Sequence, residues 1–219
     1  NKVLMREIMF NYSEKTKVDI KFKMLDLFKT IKADKSVKTD AGNIVSVILS
    51  NTLSPEKTNL EASENVKEIY VIDIILNSKR VPEIFVDAFN KFIEFQTLFR
   101  LHFQDEIKYL VSIKTFSDEK MKILKTFESD WKKEEKSEFP FTTKLENVFK
   151  EMLKYVVGYA FRQDESFENY VKRLDEIKKL KSEIDKQTRL MTAEKQPNIK
   201  MALNDKIREM KINLQELEE

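Results

Sequence analysis

The sequence predicts an α+β fold, a small mainly antiparallel sheet packed with helices and followed by a C-terminal antiparallel coiled-coil hairpin. Three observations carry that expectation. Residues 66–76 (VKEIYVIDIIL) are apolar on both faces at period two, the pattern of a covered central strand. Residues 107–115 alternate Ile107, Tyr109, Val111 and Ile113 with Lys108, Ser112 and Lys114, which predicts one buried and one wetter face. Past Pro197, Leu203, Ile207, Met210, Leu214 and Leu217 step by four and three, a heptad seam.

In chain order, Val18, Phe22, Leu25, Phe28 and Ile31 predict a helix capped at Ser13 or Thr16. Residues 33–43 are turn-rich and read as a loop, and Ile44 to Leu49 is too short to assign as helix or strand. A polar stretch containing Pro55 runs from Ser50 to Asn65. After the central strand, Pro82 fits a helix start, with Val81, Phe85, Phe89, Phe92 and Ile93 as the apolar face. Leu98–Phe103 and Ile107–Thr115 form a hairpin around Gln104, Asp105 and Glu106. Ser117, Asp118 and Glu119 turn into a fourth strand, Met121–Phe127, so the strands are expected to run as an antiparallel meander. Lys132 to Glu138 reads as a charged linker. Thr143 and Glu146 have capping-box spacing before a stripe of Leu145, Val148, Phe149, Met152, Leu153 and Val156 that ends near Gly158.

The expected division is a globular domain over 1–161 and a helical hairpin over 162–219. In the hairpin, Tyr170, Leu174, Ile177, Ile184 and Met191 should face the later seam, with the turn at Gln196 to Asn198. Basic and acidic residues are equal in number from Arg162 onward, as in a solvated, salt-bridged pair of helices and not a basic arm. The hairpin is expected to project and to supply a contact to a protein partner or a second copy.

Composition narrows the chemistry. The 219 residues include 40 Lys+Arg against 38 Asp+Glu, a net charge of +2, which lacks the footprint of a general nucleic-acid binder. No cysteine is present, which removes disulfides, thiolate nucleophiles and Cys-ligated zinc. The two glycines, Gly42 and Gly158, lie in no phosphate-cradling pattern. His102 is the single histidine, so it reads as structural or merely exposed. No catalytic residue, metal site or cofactor is expected. The opening residues form no signal peptide and no stretch has the length of a membrane span, so the expected address is the cytoplasm; a start at Asn1 reads as trimmed.

Two binding or catalytic alternatives compete with a pure interaction role. Arg100, Lys108, Lys114 and Lys122 fall on strands and are candidates for a DNA- or RNA-binding face. Asp73 with Glu106 and Lys108 has the spacing of a magnesium-dependent nuclease, although acid-x-Lys spacings are common in so charged a chain.

The ordered set Leu53-Ser54-Pro55, Asn59-Leu60 and Val66-Lys67-Glu68-Ile69 is followed by the Lys108-Tyr109 hairpin, Ser129-Asp130-Trp131 and the closing charged hairpin. Together these resemble the bacterial family catalogued as domain of unknown function 4391, from about Phe10 to the end. The chain departs from it at Asp105-Glu106, where glycine is commoner, and over Asp34 to Asn51. The resemblance implies genes beside helicases and DNA methyltransferases in restriction-like or anti-phage loci. Its expected role is therefore a non-catalytic accessory subunit whose hairpin residues Leu203, Ile207, Met210, Leu214 and Leu217 form the interaction element. It transfers no active-site residue.

Overall fold

Strand β1 (Met9–Phe10) opens the residues described in the computed structural model, which are 9–117, 120–133 and 136–219. It is followed by β2 (Lys17–Phe22), α1 (Met24–Thr30), α2 (Lys35–Asp40), β3 (Ile44–Leu53), α3 (Pro55–Thr58), β4 (Ile69–Leu76) and α4 (Glu83–Phe92). The second half runs β5 (Gln96–Phe103), β6 (Glu106–Ser117), β7 (Lys120–Glu128), β8 (Lys132–Lys133), β9 (Lys136–Ser137), α5 (Leu145–Val157), α6 (Phe167–Ala193) and α7 (Pro197–Glu218). The chain divides into two compact units, Asn1–Ala160 and Phe161–Glu219. The fold is α+β.

The main sheet has the order β2-β3-β4-β5-β6-β7, with β8 added to β6. All neighbours are antiparallel except β4 and β5, which are parallel with Asp73 opposite Arg100. The simple meander is therefore broken at β4–β5 into two antiparallel runs, β2-β3-β4 and β5-β6-β7. Between β4 and β5 the chain must return to the same end, and α4 makes that crossover. Both faces of the centre are covered. On one side Phe85, Val86 and Phe89 of α4 join Leu27, Val37, Ile72, Ile74, Phe99 and Leu101 in a core. On the other, Leu145, Val148, Phe149, Met152 and Leu153 of α5 are fully buried, and Tyr155 packs edge-on to Tyr109 of β6 at 5.3 Å.

Several expectations need correction. The first predicted helix is half strand: Lys17–Phe22 pairs with β3, because Val18, Ile20 and Phe22 satisfy period two as well as Val18 and Phe22 satisfy a four-residue step. Ser13 caps only a short 3-10 turn ahead of it. The expected loop at 33–43 contains α2, whose start is satisfied by Asp34 Oδ1 accepting from Val37 N at 2.9 Å. Ile44–Leu49 is strand, and its ladder runs on to Leu53. Phe92 is 52% exposed and does not belong to the buried face of α4. The Thr143–Glu146 capping box does not form, since the helix starts one residue later at Lys144. Its first amide, Leu145 N, donates instead to Glu61 O at 2.9 Å, and Glu146 pairs with Lys150 at 2.8 Å. Gly158 closes α5 at φ 84°, a left-handed C-cap. The turn expected at Ser117 to Glu119 falls partly outside the described residues, as do two residues of the 132–138 linker.

In the second unit the two helices pack antiparallel. Pro197 opens α7 and does not sit within the turn, so the break falls at Glu194 to Gln196. Proline is well placed there because its missing N–H would be unpaired in a first turn anyway. Ile177, Ile184 and Ile207 are buried, and Leu203, Met210, Leu214 and Leu217 are partly buried on the same seam.

Phe85 is fully buried and touches Phe28 and Phe89 edge-on or tilted at 6.3 and 5.9 Å. Phe85→Ala is expected to lower unfolding free energy by about 3–5 kcal/mol in urea titration. A loss below about 1 kcal/mol would show that α4 does not anchor the sheet.

Candidate functional site

Four polar side chains converge on the α5 side of the sheet, around Asp73. A register shift between Leu49 and Asn51 makes Ser50 a bulge in β3, and bulges re-aim a side chain. Here Ser50 Oγ donates to Asp73 Oδ2. From β5, Arg100 donates through Nε to Oδ1 and through Nη2 to Oδ2, both at 2.7 Å. His102 Nε2 stands 2.7 Å from Oδ1. Burial alone would raise the Asp73 carboxyl, but donors from His102, Arg100 and Ser50 outweigh it and hold the group far below the usual carboxylate range. As Asp73 is ionised it can only accept, so His102 carries its proton on Nε2. The four donors occupy the whole acceptor capacity of a carboxylate, about four lone-pair sites. Asp73 has nothing left with which to hold a metal ion.

Glu106 lies three residues farther along and two strands away, a separation of about 14 Å from strand geometry, and is paired with Lys79. The nuclease constellation of Asp73, Glu106 and Lys108 is thus not assembled. Among the described residues no group of three or more His, Asp or Glu is placed to hold a metal ion.

The expected basic face is also not one surface. Arg100 pairs with Tyr109 and Leu101 with Lys108, so Arg100 and Lys108 leave opposite faces of the sheet. Lys108 is 9% exposed and its ammonium lies 3.2 Å from Glu128. Lys122 is exposed on β7. Lys114 is wholly buried, contrary to the expectation of a wetter face on β6, because α4 and the segment after it cover that side. Its Nζ donates to Ile93 O and Phe95 O at 2.7 Å and to Thr97 Oγ1 at 3.4 Å. Gln96 completes the cage: its Oε1 accepts from Lys114 N at 3.1 Å and its Nε2 donates to Lys114 O at 2.7 Å. No sequence pattern marks this lysine as internal. Burial pushes its ammonium down to about 7.

Sequence reasoning also missed Arg173, which lies in the hairpin and is 4% exposed. Its Nε and Nη2 bind Glu165 at 2.7 and 2.8 Å, and its Nη1 donates to Leu217 O at 3.0 Å. The guanidinium thereby ties the start of α6 to the carbonyl end of α7, where a cation is also favoured by the helix dipole. The end of α7 thus lies beside the first turns of α6. The only hint in sequence is the Glu165–Arg173 spacing across a helix start.

Lys114 binds fewer protons in the folded chain than in the unfolded one between pH 7 and its ordinary 10.5. Stability should therefore rise with pH across that window, by up to about 1.4 kcal/mol per pH unit. Urea titrations at pH 7, 8.5 and 10 should show this rise in the native chain and a flatter profile in Lys114→Met. Equal slopes for the two chains would mean that Lys114 stays charged in its cage.

No curated protein and no solved structure matches the chain. The model of the family described as Domain of unknown function (DUF4391) matches residues 14–214, and the chain belongs to that family.

Proposed function

We propose that the chain is a non-catalytic interaction subunit of a restriction-like or anti-phage defence complex, acting in the cytoplasm and offering its helical hairpin to a protein partner. The observation that carries this reading is the outer surface of the hairpin. Its seam is already satisfied internally, yet Met201 and Ile212 of α7 are 68% and 52% exposed. They lie three turns apart on one face, turned away from Ile207. Leu190 and Ile199, near the break, are exposed as well. Apolar side chains held outward on a rigid element are the usual raw material of a protein contact.

The sheet supports the same reading from the opposite direction. Asp73, Arg100, His102 and Lys114, the groups that would otherwise serve catalysis or phosphate binding, are engaged with one another or with backbone carbonyls. The partner best suited to the family resemblance is a helicase or DNA methyltransferase encoded beside the gene.

The expected outcome is co-purification with one such neighbour at mild salt. The pair Met201→Glu and Ile212→Glu should weaken that association at least about tenfold, because each buries a charge in the contact, while helical circular dichroism is unchanged. A chain that purifies alone with every neighbour co-expressed would overturn the proposal.

A further inference from the structure

A cavity of about 330 Å³ opens between α1, α4 and strands β3 and β4, on the sheet face opposite Asp73. Five aromatic rings line it: Phe22, Tyr70, Phe89, Phe92 and Phe95. They are not a single stack. Phe22 meets Phe89 edge-on at 5.9 Å, and Tyr70 meets Phe95 at 5.0 Å and 43°; Phe89 is buried, whereas Phe22, Tyr70 and Phe95 are partly exposed and Phe92 is exposed. Leu27, Ile72 and Ile93 form the buried part of the wall.

Three exposed charged residues complete the lining: Lys23, Asp26 and Glu94. The carboxylates of Asp26 and Glu94 have no ion-pair partner among the described residues, so the exposed charged lining holds two acids and one ammonium. Aromatic faces carry partial negative charge and attract cations, most strongly where water is thinned by apolar walls. An aromatic wall beneath an acidic rim therefore selects for positive charge attached to a hydrophobic body. The volume sits at the lower end of the range for small-molecule sites, enough for one ring and a short arm.

We infer that this cavity binds a small hydrophobic cation, an aromatic or compact hydrocarbon group carrying a protonated or quaternary amine. The hydrocarbon part lies against Phe89, Ile72 and Tyr70, and the amine lies toward Asp26 and Glu94. One wall is fixed by the cage around Lys114, since its ammonium holds the carbonyls of Ile93 and Phe95 on either side of Glu94. The backbone at Glu94 is thus set by the protein's interior.

The test titrates 2-phenylethylamine into the full chain and follows tyrosine fluorescence and aromatic NMR shifts, with 2-phenylethanol and 3-phenylpropionate as neutral and anionic comparators. The amine should bind at least about tenfold more tightly than either comparator. Asp26→Asn combined with Glu94→Gln should bring the three within about twofold of one another. Phe92→Ala, at a half-exposed ring that the fold does not need, should weaken the amine while leaving the urea midpoint unchanged. Equal binding of all three probes, or no binding, would overturn the inference. So would a dimer that Phe92→Ala dissociates in sedimentation, because a second copy would then be the occupant.

Discussion

Covering both faces of β4, β5 and β6 is the constraint on which the rest of the molecule depends. Helices α1, α2 and α4 lie on one face and α5 on the other, so little of the middle of the sheet meets water. The parallel β4–β5 pair follows from it, since a crossover helix is what joins two parallel neighbours and at the same time roofs them. A charged residue placed in such a centre must be paired or hydrogen-bonded where it stands, because moving an isolated ion out of water costs several kcal/mol even after relaxation. Asp73 meets this demand with Arg100, His102 and Ser50. Lys114 meets it with two carbonyls and a hydroxyl.

That demand also explains which parts of the fold were readable in sequence. Where burial is two-sided and the residues are apolar, as in Ile69–Leu76, the pattern speaks directly. Both hairpin arms were readable because the heptad seam and Pro197 signal through local geometry alone. Lys114 was not, since a lysine alternating with Ile113 looks identical whether water or a helix lies beyond it. Strand parity across β5 and β6 depends on register, which placed Arg100 and Lys108 on opposite faces although both read as sheet cations. Residues 18–22 fit two periods at once, and only pairing with β3 decides between them. In α2, the Asp34 cap was present in sequence, but six helical residues are too few to impose a pattern on their surroundings.

The hairpin obeys a different economy. Its charges are numerous and balanced, and most remain in water, where each ion pair adds little. The exception is Arg173 with Glu165, nearly excluded from solvent and bidentate. Burial opposes the ionised form of Glu165, but the hydrogen bond from Arg173 prevails and lowers its carboxyl. Locking the two helices at that end frees their outer surfaces from any duty to the fold. A sheet whose polar groups are internally consumed, joined to a hairpin with apolar side chains facing outward, suits a protein that works by contact.

The central claim is that the charges inside the sheet serve the fold. A double-mutant cycle on Asp73→Ala and Arg100→Ala, read by urea denaturation, tests it most directly. Each single change should cost about 3–5 kcal/mol, by leaving its largely buried partner without the bidentate ion pair. The double variant should lose clearly less than the sum, with a coupling of about 2 kcal/mol. Additive losses well under 1 kcal/mol would contradict it, for then Asp73 and Arg100 would be idle in the fold and held for a ligand.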